Sequence, residues 1–533
     1  MRRFSSYGPI NNKLHYYAPR EELINRAYTQ LLGENPSEGG HYITVWAPRQ
    51  TGKTWVMQQV MFRLKKDSRF DVLKINLEHL KYEQNVGRII EAVAEETGEK
   101  LGKTFKGINN QKKFQEIFRK GSLDKPLVLI LDEFDALVEE GINTIVSAFR
   151  NIYISRVDEI DKTTAEKTYL LHGVSLIGVR SVLGIENVKG SPFNVQRSVK
   201  IPNLTYDEVV EMFAWYRKES GQEISRDVLE RIYYECNGQP GLTCWLGELL
   251  TEQYNEDKTK PITMSEWEYA YMYASKGLPN NNILNIIEKA NTEPYKDKVL
   301  ELFRTDEKIE FRFDDKELNF LYMNGITDIE ESREDMTLYN RFSCPFVQKR
   351  LFNYLSNEIF DRLGRLVDPF ENLDDAITEK SLNIPNLIKR YRKYLQENRE
   401  WLFKEAPRRK DLKLFEAVYH FNLYRYLYDL LKIWKSAVFA EFPTGNGKVD
   451  ILIKHAGKLY ALELKSFVNE RAYKEALKQT AVYGRQLGLS EISLLFFIET
   501  IDEENRKKFE TEFVDEGEGG RISVKPVFVQ VFD

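Results

Sequence analysis

The chain has 533 residues, of which 42% are hydrophobic and 13% aromatic, enough for roughly two to four domains with substantial cores. A net charge of −5 excludes a global basic signature, so any nucleic-acid surface must be local. Cys236, Cys244 and Cys344 form no CxxC pair, which argues against structural zinc and for a reducing compartment. No apolar run reaches membrane-spanning length and MRRFSSYGPINNK has no signal-peptide core, so a cytoplasmic protein without a membrane partner is expected.

The first element expected is a helix after Pro19-Arg20-Glu21-Glu22, because proline followed by acids marks a helix start. It either packs over an adenine or simply caps the fold. The stretch His41 to Val60 then organises the chain. Its apolar start reads as a buried parallel strand, and its end reads as a helix. Between them lies Ala47-x4-Gly52-Lys53-Thr54, the P-loop spacing with alanine at the first position. Such a turn aims backbone N–H groups at phosphate, with Gly52 allowing close approach, Lys53 reaching the β- and γ-phosphates and Thr54 holding Mg²⁺.

A second strand is expected at Phe70–Leu77 and a third at Leu127–Leu131, ending in Asp132-Glu133. Acids at the C-terminal end of a central strand suit a Walker B role: Asp132 on Mg²⁺ and Glu133 on the attacking water. The strand around Val174–Val179 ends at Arg180, which either reaches a γ-phosphate or is a solvated strand-end charge. Arg150 and Arg156 are arginine-finger candidates, with surface charge as the safer reading. Helices follow at 205–221, 225–236 and 242–254, with the turn Asn237-Gly238-Gln239-Pro240-Gly241 between the last two.

Taken together, Pro19–Glu22, the P-loop, Asp132-Glu133, Arg180 and Gly238-Gln239-Pro240 resemble the AAA-like P-loop ATPases of the STAND and archaeal origin-recognition type, over residues 10–255. The resemblance implies that the Pro240 turn contacts adenine and that Arg180 acts as a sensor. Two departures, Ala47 and the Ala-Pro-Arg start, bear on nucleotide affinity.

Residues 256–365 suggest a winged-helix-like or helical module, with Lys316–Tyr322 as a helix and the run to Phe342 as a wing. Its acids make packing against the ATPase a better expectation than DNA contact. Residues 366–410 read as a connector. There Lys389, Arg390, Arg392 and Lys393, interleaved with Tyr391 and Tyr394, either grip a phosphate backbone or form a solvated face.

The second chemical centre is C-terminal. Strands at Ala437–Phe442, Val449–Ile453 and Leu459–Lys465 are joined by tight turns. Period-two alternation puts Glu463 and Lys465 on one face, and the neighbouring strand brings Asp450 alongside. Two carboxylates and a lysine suit metal-assisted phosphodiester hydrolysis. This pattern resembles the PD-(D/E)xK nucleases over residues 411–533, including Gln479 and Tyr483 as the Q-x-x-x-Y element of the RecB-like branch. The resemblance implies Asp450, Glu463 and Glu416 as metal ligands, with His420 a weaker candidate, and Lys465 and Gln479 as catalytic groups.

The expected architecture is therefore α/β and multidomain: an AAA-like P-loop parallel sheet with a helical lid (1–255), a winged-helix-like domain (256–365), a connector (366–410) and a restriction-endonuclease-like domain (411–533). The expected function is an ATP-regulated, Mg²⁺- or Mn²⁺-dependent DNA endonuclease that assembles as a homo-oligomer, in genome defence or mobile-element biology by analogy. RNA as the polymer is a weaker reading. The alternative is a non-cleaving ATPase switch whose nuclease-like fold only binds DNA or a partner.

Overall fold

The computed structural model describes residues 1–178, 196–303, 308–368, 371–411, 413–443, 448–467, 469–498, 500–517 and 520–530. It divides into two compact units. One comprises residues 1–282 with 319–327, and the other 283–318 with 328–533. The residues expected as one middle module, 256–365, are thus shared between them.

The first unit is built on five parallel strands: β1 (Tyr42–Trp46), β2 (Asp71–Asn76), β3 (Leu127–Asp132), β4 (Leu171–Gly178) and β5 (Gln196–Lys200). Their order is β2-β3-β4-β1-β5, so β4 is central, β3 lies inside the sheet between β2 and β4, and every strand ends at the same edge. Strands β3 and β4 are buried at every position, as near-continuous apolar runs in a doubly covered parallel sheet require. One face packs on Val56, Met57 and Val60 of the helix Lys53–Leu64, and the other on Ile145, Phe149 and Ile152. The order change between β1 and β3 places the P-loop beside the end of β3, where ligands gather in open α/β sheets.

Helices Tyr206–Ser220, Arg226–Cys236 and Pro240–Glu248 form the lid, the first held by a capping box between Thr205 and Glu208. The N-terminal segment is stitched to it. Phe4 packs on Tyr16, Phe213 and Tyr216, its N–H donates to Glu252 at 3.2 Å, and Tyr17 lies between Trp55 and Trp215 with centroids 5.3 Å from each.

The second unit holds two sheets. The smaller has order β6-β8-β7 for β6 (Ile309–Glu310), β7 (Thr327–Ser332) and β8 (Thr337–Phe342); the helix Lys316–Met323 lies between β6 and β7 in the chain, and its residues from 319 on belong to the first unit. The larger has order β13-β14-β12-β11-β10-β9 for β9 (Ala437–Pro443), β10 (Lys448–His455), β11 (Lys458–Ser466), β12 (Glu491–Ile498), β13 (Phe513–Gly517) and β14 (Gly520–Gln530). The hairpins β9-β10-β11 are antiparallel, whereas β11, β12 and β14 run parallel. The helix Glu470–Gln486 covers one face through Tyr473, Leu477 and Ala481, packed with Phe496 and Phe528. The connector carries a long helix, Ile384–Leu402. Among the described residues no helix is long and apolar enough to cross a membrane.

Candidate functional site

The P-loop leaves β1 at Ala47 and enters the helix at Lys53. Two residues of the turn have left-handed backbone, Gln50 (φ 58) and Gly52 (φ 90). This conformation turns the chain sharply into the helix N-terminus, and Gly52 adopts it without a Cβ penalty. Lys53 Nζ donates to the carbonyls of Ala47 and Pro48, both at 2.8 Å, so the ammonium lies folded over the loop. Burial pushes its pKa down to about 8, against the pull of Asp135, Glu133 and Asp132.

Asp132 is 1% exposed. Its Oδ1 accepts from Glu133 N–H at 3.2 Å and lies 3.4 Å from Thr54 Oγ1. A hydroxyl facing a carboxylate across the loop is a hard-oxygen donor pair that fits Mg²⁺. Glu133, half-buried with φ 55, stands one residue beyond the strand. Burial, Asp135 and Asp132 hold its carboxyl above the usual range. A residue not anticipated, Lys74 on β2, pairs with Asp132 Oδ2 at 2.7 Å.

The Gly238-Gln239-Pro240 turn sits on the P-loop. Gln239 Nε2 donates to Arg49 O (3.0 Å) and Gln50 O (3.3 Å), and Gly241 N–H to Gln50 O (3.0 Å). A Cβ on Gly241 would lie 2.6 Å from Gln50 Cβ, so glycine is required by close approach. Pro240 begins the following helix, where its missing N–H costs nothing. Residues 319–327 approach the same loop: a Cβ on Gly325 would stand 2.8 Å from that of Pro48, and Tyr322 Oη accepts from Lys200 Nζ at 2.5 Å.

Other expected positions fall elsewhere. Arg180 lies outside the described residues, as does the loop 191–194. Arg20 clamps the carbonyls of Pro202 and Asn203 at 2.8 and 2.9 Å, a structural task. Arg156 is buried and bonded to Thr164 Oγ1 and Tyr169 O, so it is neither a finger nor a surface charge.

In the second unit, the β10–β11 register pairs Ile451 with Leu462. One residue further it sets Asp450 opposite Glu463. The β9–β10 register flanks Asp450 with Val449↔Phe442 and Ile451↔Ala440, which sets Glu441 on its other side. Three carboxyl groups therefore form a row across three strands, all less than 5% exposed. Lys465 Nζ is 3.3 Å from Glu463 Oε1, Lys448 pairs with Glu441, and Leu464 N–H donates to Asp450 Oδ2 at 2.7 Å. Burial and the neighbouring Asp450 push the Glu463 carboxyl well above its ordinary range. Burial also raises Glu441, which accepts from Gln348 Nε2 at 2.9 Å.

Gln479 donates to Tyr483 Oη at 2.6 Å, and Tyr483 feels the charges of Glu463, Lys465 and Asp450. The Q-x-x-x-Y pair is thus formed beside the row. Glu416 Oε2 accepts from Ser466 Oγ at 2.9 Å and its Oε1 lies 3.6 Å from His420 Nε2. Among the described residues no three His, Cys, Asp or Glu side chains are grouped to hold a metal ion, so the expected set Glu416, Asp450 and Glu463 does not close into one. Burial lowers the His420 imidazole to about 3, which keeps it neutral. On the connector helix, Arg390 pairs with Glu371 and Asp375, Arg392 with Glu510, and Lys393 with Asp368 at 2.9 Å.

Residues 37–163, which contain both the P-loop and Asp132-Glu133, match a family model described as an AAA domain. No curated protein matches the sequence. Among solved structures, the chain is similar to the Aeropyrum pernix Orc1 protein in complex with DNA, at 17% identity over 63% of this chain and 92% of that one, with a TM-score of 0.34. It is similar to a Walker-type ATPase of Pyrococcus abyssi at 14% identity over 65% and 99%, TM-score 0.42. It is also similar to Cdc6p from Pyrobaculum aerophilum at 18% identity over 67% and 97%, TM-score 0.35. The first unit thus contains an AAA domain on a five-stranded parallel sheet.

Proposed function

We propose that the chain is a nucleotide-dependent ATPase whose second unit cuts DNA, with nucleotide state governing assembly into a homo-oligomer. In the first unit Lys53 would leave its carbonyls for the β- and γ-phosphates, Gly52 and the helix N-terminus would cradle them, and the Pro240 turn would lie by the base. Thr54 and Asp132 would hold Mg²⁺, which supplies charge neutralisation on the phosphates when bound. Glu133 would orient the water, its raised pKa suiting a group that accepts a proton. The approach of Thr54 to Asp132 across the P-loop supports this half of the reading most directly.

For the second unit the supporting observation is the placement of Asp450 opposite Glu463, with Lys465 at 3.3 Å. Asp450 and Glu463 would hold Mg²⁺ or Mn²⁺, which lowers the pKa of a bound water. Lys465 would orient that water and Gln479 a neighbouring phosphate. Cleavage of plasmid and single-stranded DNA with Mg²⁺ or Mn²⁺, with and without ATP, is the test. Wild type is expected to cut and Asp450→Ala to lose about a thousandfold in rate, as removal of a metal-holding carboxylate in a catalytic site does, while ATP hydrolysis persists. Intact cutting by Asp450→Ala would refute the assignment.

The second reading, a switch that binds DNA or a partner without cutting, is favoured by one observation: among the described residues no three His, Cys, Asp or Glu side chains are grouped to hold a metal ion. It predicts no cutting under any condition, with ATP-dependent assembly retained.

A further inference from the structure

Asp132 is the most deeply buried acid of the P-loop site, and a buried carboxylate persists as a charge only when a cation or several donors face it. Lys53 does not take that part, since its ammonium is held by two carbonyls. The cation that meets Asp132 is Lys74, at 2.7 Å from Oδ2 and with only 21% of its side chain exposed. Lys74 lies on β2, next to β3 in the sheet, two residues before the position paired with Asp132, so its stem runs along the sheet towards the carboxylate. Lys100 Nζ donates to the Lys74 carbonyl at 2.9 Å and fastens the backbone there. The other oxygen of Asp132 faces Thr54. One carboxylate thus joins the P-loop hydroxyl to a second lysine.

We propose that Lys74 is a resident cation of the nucleotide site, which neutralises Asp132 and allows the P-loop to hold a nucleoside triphosphate without a divalent metal. This rests on the P-loop reading above. Asp132, Glu133 and Asp135 crowd the end of β3, and a triphosphate brings further negative charge. With Asp132 bare, phosphate would be repelled until a metal arrived. With Lys74 in place that repulsion is cancelled beforehand, and Mg²⁺ adds less to affinity because it meets a carboxylate whose charge an ammonium already offsets.

The test is equilibrium binding of a fluorescent ATP analogue to the full chain, in excess Mg²⁺ and in EDTA. Wild type is expected to lose less than about fivefold in affinity on metal removal, and Lys74→Met at least about thirtyfold, with Lys74→Arg close to wild type. A second pair avoids any bare buried carboxylate, so it reads the lysine even where Lys74→Met folds poorly. In EDTA, Asp132→Asn frees Lys74 for the phosphates, and the double variant Lys74→Met/Asp132→Asn is expected to bind about tenfold more weakly than Asp132→Asn alone. Equal affinities within that pair, or a wild type that needs metal as strongly as Lys74→Met does, would overturn the proposal. Lys53→Ala separates the two levels: if it binds as wild type does in both buffers, the P-loop reading itself fails.

Discussion

The P-loop site and the carboxylate row of the second unit both set lysines against buried acids, and they satisfy them in opposite ways. In the first, Lys53 is met by backbone carbonyls and Asp132 by Lys74 and Thr54. In the second, three carboxyl groups share two lysines. The first arrangement is pre-neutralised and awaits an anion. The second holds excess acid in a dry place, an arrangement costly to stability and suited to receiving positive charge.

The comparison is sharpened most by removing the P-loop lysine. Lys53→Ala is expected to weaken nucleotide binding by about a hundredfold or more, read by titration, with little change in melting temperature, because the carbonyls it leaves can turn to water. Glu463→Gln should do the reverse in the other unit. The Glu463 carboxyl keeps its proton well above the ordinary 4.5, so ionisation opposes folding as pH rises from there. The glutamine removes that burden and is expected to add roughly 1–3 kcal/mol, seen as a rise of a few degrees in melting temperature, while cutting is lost.

A smaller effect concerns pH. Nucleotide phosphates need Lys53 as ammonium, and its pKa is about 8. Affinity should be flat below that pH and fall above it, approaching about tenfold per unit. Stability has the opposite sign: the depressed pKa costs folding energy below pH 8, a cost that fades as pH climbs towards 10.5, the lysine's ordinary value. An affinity that is level to pH 10 would show that Lys53 is not the phosphate ligand. Smallest is Gly52→Ala. A Cβ there meets open space, but φ is 90, so a penalty of about 1–2 kcal/mol in chemical denaturation is expected from backbone alone.

The same contrast explains what could be read from the sequence. The P-loop was legible because its parts come from a few adjacent residues and its spacing is dictated by backbone geometry. Asp450, Glu463 and Lys465 were legible because period-two alternation across tight hairpins leaves little freedom of register. Glu441 was missed although it mirrors Asp450 about the same turn; with φ 53 it lies at an irregularity that strand alternation does not reveal. Lys74 depends on β2 lying next to β3, a fact of sheet order and not of local pattern. Glu416 had the right helix but found Ser466, and Arg156 looked like surface charge because nothing local announces Thr164 and Tyr169 as its partners. Polar side chains choose partners late, after the backbone has settled, and so leave the weakest trace in a sequence.

The seam between Phe4 and the lid has a consequence for biosynthesis. Phe4 leaves the ribosome more than two hundred residues ahead of Phe213, Tyr216 and Glu252, the groups that enclose it. At about 5–20 residues per second it waits on the order of 10–50 s with its ring in water. Late in that interval the nascent sheet has its P-loop but no roof, and an aromatic segment is available to chaperones or to neighbouring nascent chains. The rate of translation from Phe4 through the lid helices therefore sets how long the nascent chain stays vulnerable to misassembly.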